Sequence, residues 1–276
     1  MTWPVLASLP SPPINDFHVG PLRVTFYGIF IMTGVVVGWL VTRNRFVARG
    51  GDADIAERIV IRVVVFGFIG ARVAYVSTHL SRFEDEWWKV IAIWEGGIAL
   101  YGGLTAGAIA IWYFSRRYGS SIPDFLDSIA VGLPLAQAIG RFGNYFNQEL
   151  FGTPTDLPWG LEIAPEFRPP QYAEFATFHP TFLYESLFNV GLAFFINWAG
   201  NRHPSLRGRL IGIYFLGYGL IRFLMELIRT DTTFRFLGLS RNGWVSIGVM
   251  LLGAIVLFWR GLRVEENSYS LAGSSH

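Results

Sequence analysis

"VTFYGIFIMTGVVVGWLVT", Val24 to Thr42, contains no charged residue and is closed on either side by an arginine, Arg23 and Arg43. A helix across the hydrocarbon of a bilayer needs about 20 mostly apolar residues. This stretch has that length and that composition. It sets the reading of the chain as an integral membrane protein, and the composition agrees. Of 276 residues, 52% are hydrophobic and only 15% are charged, with a mean hydropathy of +0.39. Soluble domains carry about 25% charged residues. A formal charge of +2 is too small for a nucleic-acid binder. With no cysteine, disulfides, an Fe–S cluster and a cysteine nucleophile of the protein's own are excluded. The first 22 residues carry prolines and no Lys or Arg, unlike the basic start of a cleavable signal peptide, so the first apolar segment is expected to be retained.

Six more segments follow the first. The spans are predicted at about 24–42, 57–80, 90–115, 124–147, 181–198, 210–228 and 243–259. Residues 148–180 are polar and rich in proline and read as an irregular arm outside the membrane. The tail 261–276 reads as mobile. We expect one membrane domain, 1–276, of all-α class with seven transmembrane helices. Basic residues set its orientation. With the N-terminus outside, the inner loops hold Arg43, Arg45, Arg49, Arg58, Arg116, Arg117, Arg202, Arg207, Arg209, Arg260 and Arg263. The outer loops hold Arg82, Lys89, Arg168, Arg235 and Arg241. Eleven against five places the N-terminus outside and the C-terminus in the cytoplasm.

Six arginines remain in or beside spans: Arg23, Arg62, Arg72, Arg141, Arg222 and Arg229. An arginine at mid-membrane costs at least about 2.5 kcal/mol, so it faces the bundle interior or water and is a functional hypothesis by default. The bland alternative is a structural ion pair, or a side chain snorkelling to the interface. Helix rise of about 1.5 Å per residue puts Arg141 roughly 26 Å above Asp124, and Arg222 roughly 21 Å above Gly208. Arg72, Tyr27 and Tyr101 fall at a similar level. Five helices are thus expected to bring polar groups together in the outer half of the membrane.

"GRFGNYFNQE", Gly140 to Glu149, concentrates Arg141, Asn144, Asn147, Gln148 and Glu149 at the end of an apolar segment. Arg141 and Asn144, three apart, share a helix face. Arg222, Glu226 and Arg229 are spaced i, i+4, i+7 and share another, where Glu226 can neutralise and aim one arginine and leave net positive charge. A helix-stabilising ion pair is the plainer reading. Buried guanidinium with amide donors suits phosphate, because the fork binds two oxygens and keeps its charge. At the outer leaflet that phosphate is a phospholipid headgroup. Gly102 and Gly103, within "EGGIALYGGLTAG", allow a headgroup close to the backbone. They equally allow two helices to approach. The five histidines show no metal-ligand spacing, and no serine elbow, aspartate pair or P-loop is present.

"GRFGNYFNQELFG" (Gly140–Gly152) resembles the signature of bacterial prolipoprotein diacylglyceryl transferases. "LRVTFYG" with Tyr27, "GARVAYV" with Arg72, "GGIALYGGL", "HPTFLYE" (His179–Glu185) and "RFLMELIR" (Arg222–Arg229) agree in order, over about residues 10 to 260. The N-terminus and "FNQELFG" look most like the actinobacterial branch. The resemblance implies seven helices, an outward-opening site in the bacterial cell membrane, and no cofactor or metal. It implies transfer of the diacylglyceryl group of phosphatidylglycerol to the lipobox cysteine thiol in a prolipoprotein signal peptide. A thioether forms and glycerol phosphate leaves. By that resemblance Arg141 matches the phosphatidylglycerol-binding arginine, Arg222 the essential arginine of the sixth helix, and Tyr27, Asn144 and Gly152 further sensitive positions. With the polar residues around them, the expected site has Arg141, Arg222, Tyr101 and Glu226 as catalytic residues and Arg141, Asn144, Tyr27, Asn147, Glu149, Gly152, Arg72, Arg229, Gly102 and Gly103 as substrate-binding residues. Many members have histidine where this chain has Tyr101. A phenol with an ordinary pKa near 10 is a poor base at pH 7, so Tyr101 is expected to position groups. Two alternatives share the pocket. A transporter or flippase for anionic lipid would show repeats and broken helices, and a catalytically impaired lipid-binding homologue would fit the tyrosine.

Overall fold

The computed structural model describes residues 8–93, 96–231 and 235–258. The tail expected to be mobile, 261–276, lies outside the described residues. Seven α-helices occur among these: α1 Phe26–Ala48, α2 Ala53–Thr78, α3 Leu100–Arg117, α4 Ile122–Phe146, α5 Thr181–Arg202, α6 Leu210–Ile228 and α7 Arg241–Phe258. Five of them, α1, α2, α4, α6 and α7, are long and apolar enough to cross a membrane. In α1, α2 and α7 only 17% of the most apolar window is buried. Those faces, with Ile69 and Val73 of α2 and Leu251 and Ile255 of α7 exposed, suit lipid and not water. α3 ends in two arginines, and α5 carries Glu185, Asn189 and Asn197 along its apolar run.

The helix ends follow local chemistry. Asp52 caps α2, its carboxylate accepting from the Ile55 amide at 2.9 Å. Ser240 caps α7 through the Gly243 amide at 3.0 Å. Gly208, with φ of 81°, supplies the turn before α6 that a Cβ would resist. The segment from Val90 begins as a 3-10 turn, and the helix starts only at Leu100, later than expected.

The chain divides into two compact units, Met1–Val41 with Ile129–His276, and Thr42–Ser128. In the second unit α2 and α3 pack backbone to backbone. A Cβ on Gly102 would lie 2.3 Å from Ala74 Cβ and 2.5 Å from Gly70 O, and one on Gly103 3.2 Å from Gly67 O. Arg49 pairs with the fully buried Asp127 at 3.0 Å.

In the first unit a Cβ on Gly34 of α1 would meet Ala136 O of α4 at 2.6 Å, and one on Gly143 would meet the Tyr27 ring at 2.8 Å. The stretch 148–180, expected to be an irregular arm, carries one short two-stranded ribbon among turns and 3-10 segments. The strand Leu161–Glu162 pairs with the strand Thr177–Phe178, Leu161 opposite Phe178. Phe151, Leu161, Ile163 and Phe178 are buried together, with Leu9 and Tyr172 packed on them. Leu9 bonds to both sides of Leu161, donating to Gly160 O at 2.9 Å and accepting from Glu162 N at 2.8 Å. Ser8, Leu9 and Pro10 therefore act as a strap over this small core. Two further ribbons flank helix starts: Asp16–Val19 with Leu22–Thr25 ahead of α1, and Arg235–Phe236 with Leu239–Ser240 ahead of α7.

Candidate active site

α4 ends in the polar cluster. Arg141 and Asn144 share a face, and Arg141 Nη1 donates to Asn144 Oδ1 at 3.2 Å. The chain then reverses. Gln148 and Leu150 both adopt left-handed backbone, with φ of 49° and 59°. Non-glycine residues hold that conformation at a cost of about 1–3 kcal/mol each, and such strain gathers at functional sites. Between them sits Glu149, whose Oε1 accepts from Asn144 Nδ2 at 2.8 Å and Asn147 Nδ2 at 3.2 Å. Both ends of the reversal are tied: Gln148 Oε1 accepts from the Ala164 amide at 2.8 Å, and Thr181 Oγ1 donates to Leu150 O. Tyr27, at the start of α1, lies against Gly143 of α4.

Arg141 has a second partner that the sequence reading left without a role. Its Nη2 lies 2.7 Å from Glu185 Oε2 of α5, whose side chain is 3% exposed. The contact is an ion pair without hydrogen-bond alignment, since that oxygen has no hydrogen-bond donor. Glu185 is the sole acidic residue of α5. An acid inside an apolar helix is itself a signal, and it was legible. Its partner was not.

On α6, Arg222 pairs with Glu226 at 2.9 Å, as the four-residue spacing predicts. Arg229, at the end of α6, does not leave the net positive face expected from the sequence. It forms two bonds with Asp231, at 2.8 and 2.6 Å. Burial alone would pull the Arg229 guanidinium down, but the Asp231 bond and charge outweigh it and hold it above the usual value. Burial would raise the Asp231 carboxyl, yet the bond to Arg229 and its charge hold it below the ordinary range. Three arginines thus each have a carboxylate partner. One donor is left over: Arg222 Nη1 is buried and finds no acceptor.

Gly152 joins the arm to both helices. Its amide donates to His179 O at 2.9 Å, Thr153 N donates to Ile228 O at 2.7 Å, and Gly152 forms an antiparallel bridge with Arg229. A Cβ there would lie 2.7 Å from His179 Cβ and 3.1 Å from Ile228 O.

The other expected site residues belong to the second unit. Arg72 is buried and donates to the carbonyls of Val90, Gly96 and Gly97 at 2.8, 2.6 and 2.7 Å, and to that of Lys89. Its fork holds the loop ahead of α3. Gly102 and Gly103 turn their bare faces to α2. Tyr101 is exposed. Among the described residues no three His, Asp or Glu side chains gather as a metal site.

Comparison with known proteins adds to this geometry. Residues 15–259 match the profile described as prolipoprotein diacylglyceryl transferase. The chain is 42% identical over 253 residues to phosphatidylglycerol–prolipoprotein diacylglyceryl transferase 2 of Streptomyces coelicolor, covering 91% of this chain and 80% of that protein. It is 42% identical to the phosphatidylglycerol–prolipoprotein diacylglyceryl transferase of Cutibacterium acnes, with 91% and 85% covered. It is 40% identical to that of Gloeobacter violaceus, with 94% and 97% covered.

Proposed function

The chain belongs to the prolipoprotein diacylglyceryl transferase family, and from that premise we propose how its buried arginines serve the reaction. The activity is transfer of the diacylglyceryl group of phosphatidylglycerol to a prolipoprotein, the first step of lipoprotein maturation. The acceptor in our reading is the lipobox cysteine thiol. Its sulfur attacks the glycerol carbon of the diacylglyceryl group, a thioether forms, and the carbon–oxygen bond to phosphate breaks. The electron pair leaves with glycerol phosphate.

Negative charge therefore grows on phosphate as the bond breaks. Donors fixed at that oxygen beforehand stabilise the transition state more than the ground state. Arg141 and Arg222 fill this role. Asn144, Asn147 and Glu149 fix Arg141 from its own helix end, and Glu185 fixes it from α5. Tyr27 lines the headgroup side, and Arg229 holds the end of α6 to Gly152. The carboxylates hold the guanidinium groups in place before any ligand arrives. The observation that carries the reading is Arg222 Nη1. A buried donor without an acceptor costs about 1–3 kcal/mol. A phosphate oxygen satisfies it.

The topology we propose has seven spans, with α3 and α5 crossing beside the five more apolar helices. The N-terminus faces outward, the C-terminus the cytoplasm, and the arm lies outside. The support is the basic residue count, eleven inner against five outer. The location is then the bacterial cell membrane, with the site toward the outer leaflet. The experiment compares Arg222→Lys and Arg141→Lys with the parent, at matched amounts of folded protein, for diacylglyceryl transfer to a lipobox peptide. Lysine gives a point charge and no fork. Each variant is expected to lose about ten- to a hundredfold in rate, as for the loss of one charge-assisted hydrogen bond of about 1.5–3 kcal/mol. Parent-like rates in both would return these arginines to structural roles.

A further inference from the structure

A small cavity adjoins Glu226. It measures about 40 Å³ and is walled by Phe223, Glu226 and Leu227 of α6, by Leu239 and Ser240 of the ribbon, and by Gly243 of α7. A water site takes roughly 10–15 Å³ by this measure, so the cavity has room for a group of two or three heavy atoms. Its walls are mostly apolar. Of the two polar side chains, Ser240 is engaged in capping α7 through the Gly243 amide at 3.0 Å. Glu226 holds Arg222 at 2.9 Å and also borders the cavity.

We propose that this cavity is the subsite for the acceptor thiol, the CH₂–SH group of the prolipoprotein cysteine, and that Glu226 accepts its proton. The proposal rests on the phosphate-binding reading of Arg222 given above. The chemistry selects a thiol over water. A buried water needs two to four polar partners, and the only polar side chains among the residues around this cavity are Glu226 and Ser240, the latter already engaged by the Gly243 amide. A thiol is a weak donor that sits well among apolar groups and needs a single acceptor. Arg222 favours the thiolate that forms there. In the step, the S–H proton passes to the Glu226 carboxylate while sulfur bonds to the glycerol carbon. The carbon–oxygen bond to phosphate breaks, and the electron pair goes to the phosphate oxygen facing Arg222. The proton then leaves Glu226 to the departing phosphate or to water. The arrangement assigns the proton acceptor without recourse to Tyr101.

The test narrows the cavity without touching Glu226. A Cβ on Gly243 would meet Leu239 Cβ and Ser240 Oγ, two of its walls, at 3.5 Å each, which is ordinary contact. Gly243 lies in the first turn of α7, where alanine favours the helix. Gly243→Ala is therefore expected to fold. Kinetics would be measured with the full chain in phosphatidylglycerol vesicles and a lipobox cysteine peptide. We expect the KM for peptide to rise about tenfold and the KM for phosphatidylglycerol to stay as in the parent. An unchanged peptide KM, or a rise confined to the lipid, would overturn the subsite while leaving the activity standing. If the parent itself failed to lipidate the peptide, the activity and the subsite would fall together. The second arm uses Glu226→Gln and an unreactive peptide with serine in place of cysteine. Its affinity should stay within about threefold of the parent while kcat for the cysteine peptide falls at least a hundredfold. A parent-like kcat would overturn the proton-accepting role.

Discussion

At the scale of single residues, the site is a set of arginines held by acids. The spacing within one helix was readable: Arg222 with Glu226, and Arg141 with Asn144, contact as their four- and three-residue intervals require. Glu185 and Asp231 were not assigned, because an ion pair between helices, or around a helix end, leaves no periodic mark in the sequence. Glu185→Gln is expected to loosen Arg141 and slow transfer about tenfold or more, with Glu185→Asp intermediate. Rates of both variants at saturating peptide would check the order. Asp231 yields a pH prediction. Its folded pKa is lowered, so its stabilisation is complete above the ordinary carboxyl value near 4 and is lost as pH falls through the folded value. Melting temperature of the detergent-solubilised protein should thus fall less steeply in Asp231→Asn than in the parent below about pH 4. Parallel curves would contradict the pairing. For Tyr101, exposed on α3, Tyr101→Phe should keep most of the activity, since a phenol is a weak base. Loss of lipidation in a folded variant would give the hydroxyl a chemical role.

At the scale of elements, glycine decides which backbones meet. The sequence left Gly102 and Gly103 open between a headgroup and a neighbouring helix. The structure turns both toward α2, with Gly70 and Gly67 opposite, and that could not be read locally because the complementary glycines lie some thirty residues earlier. The short ribbon inside the arm was not read for a related reason. It has two residues per strand, and its third partner is Leu9, far away in sequence. Short strands with distant partners show no alternation. Gly152 is where this arm joins His179 and the end of α6. Gly152→Ala is therefore expected to push the arm off α6, at about 1–3 kcal/mol as overpacking costs. Reduced thermal stability together with lost transfer would fit. A parent-like melt with full activity would show that the join tolerates a methyl group.

At the scale of the whole molecule, the membrane class was legible from one uncharged run and from composition, because lipid imposes length and apolarity on each helix directly. The less apolar α5 is marked off by Glu185, Asn189 and Asn197 along its apolar run. Orientation rests on arginine placement. A reporter fused after Arg263 should report the cytoplasm and one inserted near Thr155 the outside, and finding both on one side would reverse the topology. The central claim is that a phospholipid headgroup held by buried arginines gives up its diacylglyceryl group to a thiol. The most direct measurement incubates purified protein in phosphatidylglycerol vesicles with a lipobox cysteine peptide and follows the peptide by mass spectrometry. The account predicts a diacylglyceryl mass gain on the cysteine, with glycerol phosphate released in equal amount. Phosphatidylglycerol crossing between leaflets while the peptide mass stays unchanged would contradict it.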